Sequence, residues 1–495
     1  MNINIKKLTE KINLTKVSVV VFIFFLTQVF SYLGYAFPVW SGIFFWLIIL
    51  SALALAIKKT EYGFCFLLFE FFLGHEGHLF EFAGISLRLA LFLGLMLVWG
   101  IKKIIKKQGI DFLKNSLKDP GLAVFWLLLL VVALSFFQGL IRHTPNLVFK
   151  DFINYAYLIL IFPFLEIFKD KQVRQKFFIL ASGAIIGLSF LTLIIFILTA
   201  LGKVQIHDQF YWWWRGTLVG KITDAGNNFW RIVTPAHLLV LPGFMVALSF
   251  LIRKRISQNF KKISQNFRKI IFFLVSGASL ALVINFSRAY FLGILGGLVF
   301  LKKNVNYVKW LKFTLLVILI LIIEFVLIFS LVSGGKIGES LRVFTGRMGT
   351  VIQPEGEASS LTRMNILPRL WEKIKIAPLF GQGLGATVGV FDAVINREKI
   401  TFHLDWGYFE MWHEIGLFGL VVYGLLIFYL FYFSFKKIKD LGKESQEASL
   451  ILGLLAGLIS LLIANLTAPV LFHSLGVFYF VLTWSLVFNL KKNDL

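Results

Sequence analysis

Cysteine and acidic residues are scarce in this chain, and the scarcity limits what the protein can be. Among 495 residues there is 1 cysteine, and 26 aspartates and glutamates stand against 50 lysines and arginines. Cys65 lies in an apolar segment, so an intramolecular disulfide is excluded and a metal cluster is not expected. A long internal repeat is also lacking, which argues against transporter folds built from duplicated halves.

The N-terminus lacks a recognisable cleavage site. Lys6, Lys7, Lys11 and Lys16 precede a long apolar run, and no convincing small-residue site follows. We therefore expect this run to remain as an uncleaved first membrane span.

Apolar residues are what the chain has in excess. They make up 58% of it, and the mean hydropathy is +0.81. Soluble folds carry far less, so the composition predicts an all-α, polytopic integral membrane protein. The net charge of +24 would suggest a nucleic-acid partner in a soluble protein. Here the basic residues form short clusters between apolar runs, so membrane topology explains them and no nucleic acid is expected.

Fourteen apolar segments are long enough to count as candidate spans. They lie near residues 17–36, 40–57, 62–74, 85–101, 121–141, 147–168, 176–201, 231–252, 270–286, 288–302, 309–332, 406–435, 448–467 and 471–490. Basic clusters occupy alternate connections, which predicts a single transmembrane domain over 1–495 with both termini in the cytoplasm. Two long loops then face outward, 202–230 and the large loop 333–405.

The loop 202–230 has an aromatic run and then a donor-rich stretch. Tyr211 to Trp214 are typical of an interfacial belt, with Arg215 snorkelling beside it. The chain continues through Gly216-Thr217 to Asn227-Asn228, and anchoring gives no reason for these hydrogen-bond donors. A polar ligand is the alternative interpretation.

A second arginine interrupts an apolar run of about 30 residues, which suits two short spans better than one long span. Ser287-Arg288 then lies between the two spans on the outer side. Such an arginine is unfavourable unless it snorkels to the interface or meets a partner or an anion. Gly293 and Gly297 have the spacing of a close helix contact.

The large loop carries the remaining candidates. Residues 360–376 predict an amphipathic helix lying on the outer membrane surface. The glycines of Gly381–Gly385 allow tight turns and could expose amides to an anion. His403 and Asp405, just before the span 406–435, are suited to removing a proton from a hydroxyl, although either could instead cap the helix.

Several acidic residues fall within predicted spans, where an ionisable group is a functional candidate by default. They are Glu70, Asp151, Glu166 and Glu324. We expect some of them to pair with Arg88 or to lie at interfaces. Glu410 and Glu414 share one helix face at i and i+4.

The order of these motifs over roughly residues 200–435 resembles the O-antigen ligase and O-antigen polymerase superfamily. The resemblance rests on Arg215-Gly216-Thr217 followed by Asn227-Asn228, on Ser287-Arg288 between two spans, and on the run Pro378–Gly385 before a His-or-Asp, Tyr, Glu, Gly pattern. Alignment of Tyr408, Glu414, Gly416, Gly419 and Leu420 puts Asp405 at the family's His/Asp position, with Trp406 in place of the usual Asn. The base is therefore either His403 or Asp405.

The resemblance implies a glycosyltransferase of the bacterial inner membrane with its active site on the extracytoplasmic face. Its donor would be an undecaprenyl-diphosphate-linked glycan, and its acceptor a glycan or a lipid-linked sugar, with membrane lipids around it. Arg215 and Arg288 would hold the diphosphate, since the guanidinium fork binds phosphate without a metal. Ser287, Asn227, Asn228, Gly383, Tyr408 and Glu414 would support the site. Inversion at the anomeric carbon is expected, with no metal, cofactor or nucleotide sugar.

Other functions remain open at this point. A polymerase and a ligase differ mainly in the acceptor, and a glycan-to-protein transferase belongs to the same class. A flippase for lipid-linked oligosaccharides is the alternative from another class. It would need polar residues spread through a central cavity, whereas here they concentrate in the outer loops.

Overall fold

The computed structural model describes residues 13–73, 77–107, 116–226, 228–254, 265–303, 305–335, 337–349, 358–392, 397–401 and 404–491, which are mostly helical. The first half contains α1 (Leu14–Ala36), α2 (Pro38–Lys58), α3 (Thr60–Phe72), α4 (Leu87–Ile105), α5 (Pro120–Arg142), α6 (Pro145–Ala156), α7 (Ile161–Ile167), α8 (Lys171–Ala200) and α9 (Gln209–Gly216). The second half contains α10 (His237–Lys254), α11 (Gln265–Asn285), α12 (Arg288–Leu301), α13 (Tyr307–Val332), α14 (Ile337–Gly349), α15 (Ala358–Ile376), α16 (Gly407–Leu441), α17 (Gln446–Ala464) and α18 (Ser474–Asn489).

The apolar helices confirm a polytopic membrane protein. Within the described residues, 9 helical segments are long and apolar enough to cross a membrane. They are α1, α2, α5, α6 with α7, α8, α11, α13, α16 and α17. The other predicted spans coincide with α3, α4, α10, α12 and α18, which are shorter or carry more charge. The count of fourteen crossings stays a prediction.

The predicted span 147–168 is not one continuous helix. It is α6, a 3-10 turn at Tyr157–Leu160, and then α7. Pro163 explains the break, because it has no N–H to donate to the carbonyl four residues earlier and its ring crowds that carbonyl.

Helices α12 and α17 cross in close contact. A Cβ on Gly293 would lie 2.7 Å from the Ser460 carbonyl oxygen, and one on Gly297 would lie 2.5 Å from Ser460 Oγ. Only glycine permits this approach, so the close helix contact predicted from the spacing is confirmed.

The described loops also contain three antiparallel hairpins that the all-α prediction did not include. They are β1 (Glu81–Phe82) with β2 (Ile85–Ser86), β3 (Lys221–Asp224) with β4 (Trp230–Val233), and β5 (Val388–Asp392) with β6 (Arg397–Thr401). The chain remains predominantly helical, because each hairpin is short and lies between helices.

The amphipathic helix predicted at 360–376 is present as α15, and part of its apolar stripe packs against the protein. Ile366, Leu370 and Ile374 are buried in a small core of their own. The hairpin residues Val388 and Val390 and the loop residue Leu404 complete that core. The hairpin β5–β6 thus covers this part of the stripe, and the position of α15 on the outer membrane surface stays a prediction.

Candidate functional site

Loops from distant parts of the chain meet at one end of the bundle. We call this end the loop face, and it consists of the described residues within 202–236, 286–287 and 358–406. On it, the Arg363 Nε lies 3.3 Å from Asp405 Oδ2. The pKa of Lys221 is shifted by the charges of four neighbours, Arg215, Asp405, Arg363 and Arg231. We call the four cations Arg215, Lys221, Arg231 and Arg363 the basic cluster.

The basic cluster has an excess of positive charge around one carboxylate. Partial desolvation, and then the charge of Arg215, lower the pKa of Lys221 below its usual 10.5, although Asp405 acts in the opposite direction. A lysine that is harder to protonate than normal marks a place where an added anion would be stabilised.

The hairpin β3–β4 carries half of the basic cluster. Its register places Thr223 opposite Arg231, while Ile222 and Ile232 are buried on the inner face. The alternation of strand side chains therefore anchors the hairpin through its isoleucines and places Lys221 on its outer face.

The predicted supporting residue Asn228 has a structural role in the turn of this hairpin. It adopts a φ of 62°, a left-handed conformation that asparagine tolerates better than most residues. Its amide donates to the Ala200 carbonyl at 2.9 Å and accepts from the Trp230 indole at 2.9 Å. Asn227 lies outside the described residues.

Ser287 and Arg288 stand at a corner between α11 and α12, as the interrupted apolar run predicted. Ser287 occupies the N-cap position of α12, and its side chain makes no capping hydrogen bond. Arg231 Nε donates to the Asn285 carbonyl at 3.2 Å, so the hairpin is tied to this corner. The structure therefore brings the second predicted arginine site next to part of the basic cluster.

Asp405 does not cap α16. The N-cap position belongs to Trp406, which makes no side-chain capping bond, and Asp405 instead pairs with Arg363. The helix-cap interpretation of Asp405 is therefore wrong. His403 lies outside the described residues, so its place relative to Asp405 stays a prediction.

The glycine-rich run Gly381–Gly385 inserts into a break in α16 at Gly416, where φ is 73° and ψ is 177°. Backbone hydrogen bonds join the two segments: Gln382 N to His413 O (2.7 Å), Gly383 N to Glu414 O (3.0 Å), Leu417 N to Pro378 O (2.9 Å) and Phe418 N to Leu379 O (3.0 Å). The break in α16 leaves backbone N–H and C=O groups without partners in the helix, and the loop forms hydrogen bonds with them inside the apolar bundle.

The amides of this run are therefore not exposed to an anion, contrary to our expectation for Gly383 and its neighbours. Leu384 N donates to the Ser135 carbonyl at 3.1 Å, and Gly385 N donates to Asp151 Oδ2 at 2.9 Å. The glycines are needed because α5 and α6 pass directly beside them. A Cβ on Gly383 would lie 2.6 Å from the backbone nitrogen of Gly139.

The side chains of Tyr408 and Glu414 are hydrogen-bonded to residues of other helices. The Tyr408 hydroxyl donates to the Leu462 carbonyl at 2.8 Å. Glu414 is buried and accepts from the Tyr155 hydroxyl at 2.8 Å, beside Asp151. Glu410 is also buried, and it accepts from the Leu404 N–H at 2.9 Å, which ties it to the residue before Asp405. These acids hold the loop face onto the helices.

The other acids within the predicted spans have partners. Arg88 Nε donates to Glu70 at 2.5 Å with both side chains buried, which confirms the predicted pairing. Glu166 accepts from the Trp99 indole and from Lys103, and Glu324 accepts from Ser279.

Sequence reasoning missed Lys221, Arg231 and Arg363. A hairpin signal was present, since KITD and WRIV are two short β-branched runs separated by a turn with Gly226 and two asparagines. We had treated the loop as one donor-rich stretch instead. Arg363 offered no local signal, because only the folding of α15 onto β5 brings it to Asp405.

Comparison with known proteins gives a family match for part of the chain. No curated protein matches the chain. Residues 270–424 match the model of the O-antigen ligase family. This region runs from α11 to the first half of α16 and includes Ser287-Arg288, the inserted glycine loop, Asp405 and the break at Gly416. The match over residues 270–424 of this membrane protein supports the resemblance to the O-antigen ligase and polymerase superfamily that the motifs predicted.

Proposed function

We propose that the protein transfers a glycan from an undecaprenyl-diphosphate carrier to a sugar hydroxyl of an acceptor. The observation that carries the proposal is the basic cluster around Asp405, with the Arg288 corner tied to it through Arg231. It combines an anion site and a proton acceptor at one end of a membrane-embedded bundle.

The donor diphosphate suits the charge of the site. Arg215, Lys221, Arg231 and Arg363 supply four positive charges against the one carboxylate of Asp405. Arginine forks bind phosphate oxygens in pairs, and Lys221 adds a point charge. With Arg288, these groups would stabilise the negative charge that develops on the diphosphate as it leaves.

Asp405 is the base in this proposal. Its carboxylate accepts the proton of the acceptor hydroxyl while the hydroxyl oxygen forms a bond to the anomeric carbon. The bond from that carbon to the diphosphate oxygen breaks, and the bonding electron pair leaves with the lipid diphosphate. A single displacement of this kind inverts the anomeric configuration. Arg363 orients the Asp405 carboxylate through its contact with Oδ2.

The proposal includes a topology. The fourteen predicted crossings keep both termini in the cytoplasm, because the basic clusters then face inward. The loops 202–230 and 333–405, and with them the loop face, lie on the extracytoplasmic side of the bacterial inner membrane. A carrier lipid in the outer leaflet would reach the basic cluster directly.

Product formation in cells that lack their own enzyme tests the proposal. Wild type, Arg215→Ala, Arg288→Ala, Arg363→Ala and Asp405→Asn are compared at equal membrane levels by glycan gel ladders. Arg369→Ala is the matched control, because Arg369 also lies on α15 but pairs with Glu398 away from the basic cluster. We expect the cluster variants to lose product and to accumulate lipid-linked donor on the outer face. Donor accumulating on the cytoplasmic face would instead identify a flippase.

A further inference from the structure

His237 lies buried beneath the corner that carries Ser287 and Arg288. Its Nδ1 is 3.2 Å from the Thr234 backbone nitrogen and 2.8 Å from Asn285 Nδ2. Its Nε2 is 2.8 Å from Thr192 Oγ1 on α8. The side chains of Thr192, His237 and Asn285 are 0%, 0% and 1% exposed, so water does not compete for these bonds.

The Thr234 amide determines which group donates and which accepts in each hydrogen bond of this network. The Thr234 amide can only donate, so the Nδ1 of His237 must accept. The neutral ring then carries its proton on Nε2 and donates it to Thr192. The Thr192 hydroxyl in turn donates to the Leu188 carbonyl at 2.8 Å. Both ring nitrogens are satisfied in one tautomer only, so the position of the ring is specified.

Asn285 connects this chain to both sides of the corner. Its side-chain amide nitrogen binds His237, and its backbone carbonyl oxygen accepts from Arg231 Nε at 3.2 Å. The next residue, Phe286, adopts a φ of 51°, which is unfavourable for a bulky side chain. Its ring stacks on Phe325 with centroids 4.8 Å apart. The corner therefore keeps a strained conformation because its neighbours hold it.

We propose that His237 and Asn285 are positioning residues for the donor diphosphate. The chain Thr192–His237–Asn285 holds the corner at Phe286, and the corner sets where Arg288 and Arg231 meet the phosphates. This inference rests on the proposed function. It differs from the plain alternative, a buried histidine that only fills the core, because it predicts an effect on donor affinity.

The chain offers a matched pair of substitutions on one helix. Thr192 and Thr199 are both buried on α8, and each hydroxyl donates to the carbonyl four residues earlier at 2.8 Å. Only Thr192 also accepts from His237. Thr192→Val therefore removes the acceptor of the ring, whereas Thr199→Val removes the same kind of hydroxyl and leaves the ring untouched.

The first measurement tests how firmly the corner at Phe286 is held, and it does not depend on catalysis. A Ser287→Cys reporter is placed in a Cys65→Ala background, and its labelling by a maleimide is timed in the full-length protein in membranes. We expect Thr192→Val to speed labelling about tenfold, the effect of losing one buried hydrogen bond, and Thr199→Val to leave the rate unchanged.

The second measurement gives the steady-state constants for the lipid-linked donor. In the chain without the reporter, Thr192→Val and His237→Leu should raise the KM for lipid-linked donor about tenfold while kcat falls much less. His237→Asn should recover part of the affinity, because its amide oxygen can stand in for Nδ1. Thr199→Val should match wild type in both constants.

Equal labelling rates in the two threonine variants would overturn the proposal. So would faster labelling with an unchanged donor KM, including the case in which the apparent kcat falls only in proportion to the folded protein. Failure of the proposed function looks different: wild type would give no glycan product, while the labelling difference between Thr192→Val and Thr199→Val would persist.

Discussion

Gly381 and Gly416 face each other across the junction between the large loop and the broken helix, and neither position has room for a side chain. A Cβ on Gly381 would lie 2.3 Å from the Glu414 carbonyl oxygen, and one on Gly416 would lie 2.2 Å from the Leu379 carbonyl oxygen. Both glycines have a φ of 73°. Residues Glu414-Ile415-Gly416 therefore form a backbone joint that attaches the loop face to the membrane helices.

Gly416→Ala should destabilise the protein and detach the loop. The backbone there occupies a region that is essentially restricted to glycine, at roughly 1–3 kcal/mol for other residues, and the new methyl group would also overlap the Leu379 carbonyl. Thermal unfolding in detergent measures the change. Gly424→Ala is the control on the same helix, since a Cβ there meets nothing within 4 Å and should leave the melting temperature as it is. Equal melting temperatures for the two variants would contradict this account of the joint.

The buried pair of Arg88 and Glu70 should matter for stability and not for the reaction. Arg88→Met leaves Glu70 as an unpaired charge in an apolar core, which typically costs about 3–5 kcal/mol. The double variant Arg88→Met/Glu70→Leu should recover much of that loss, because no charge remains buried. The free energies of unfolding of wild type, the two single variants and the double variant form a double-mutant cycle that measures the pair. A double variant less stable than both single variants would show that the pair itself is strongly stabilising.

Much of the bundle could be predicted because lipid exposure leaves a direct signal in sequence. Long apolar runs gave α1, α5, α8 and α13, and glycine spacing gave the contact between α12 and α17. The break at Pro163 could have been inferred from the proline itself. The path of Pro378–Gly385 could not, because its partners on α5, α6 and α16 lie far along the chain.

The site was predicted only in part, for the same physical reason. Arg288 and Asp405 stood out as charges at the edges of apolar runs, where charge is unfavourable and so conspicuous. Lys221 and Arg363 lie in polar loops, where a cation is unremarkable. Their proximity to Asp405 depends on tertiary folding of the hairpin β3–β4 and of α15, which no local pattern encodes.

The lowered pKa of Lys221 predicts a pH dependence of stability. A lysine whose pKa is lower in the folded state than its usual 10.5 binds fewer protons when folded, so stability should rise as the pH climbs through the folded pKa toward 10.5. Lys221→Gln removes the charge, so it should raise the melting temperature at pH 7.5 and abolish this rise. Melting curves at pH 7.5 and 10 for both proteins test it. Added pyrophosphate should stabilise wild type more than the variant, and equal responses would argue against an anion site at Lys221.

Asp405→Asn should lower kcat by about 10²-fold or more, which is typical for loss of a general base, and should leave donor binding nearly intact because the amide keeps the shape of the carboxylate. Arg363→Ala should have a smaller effect on kcat, since it only releases Asp405 from its 3.3 Å contact, and it should also weaken the donor because it removes one charge of the basic cluster. Single-turnover transfer from lipid-linked donor separates the two effects.

His403→Ala is the decisive comparison for the identity of the base. A loss of kcat in His403→Ala with normal turnover in Asp405→Asn would assign the role of base to His403.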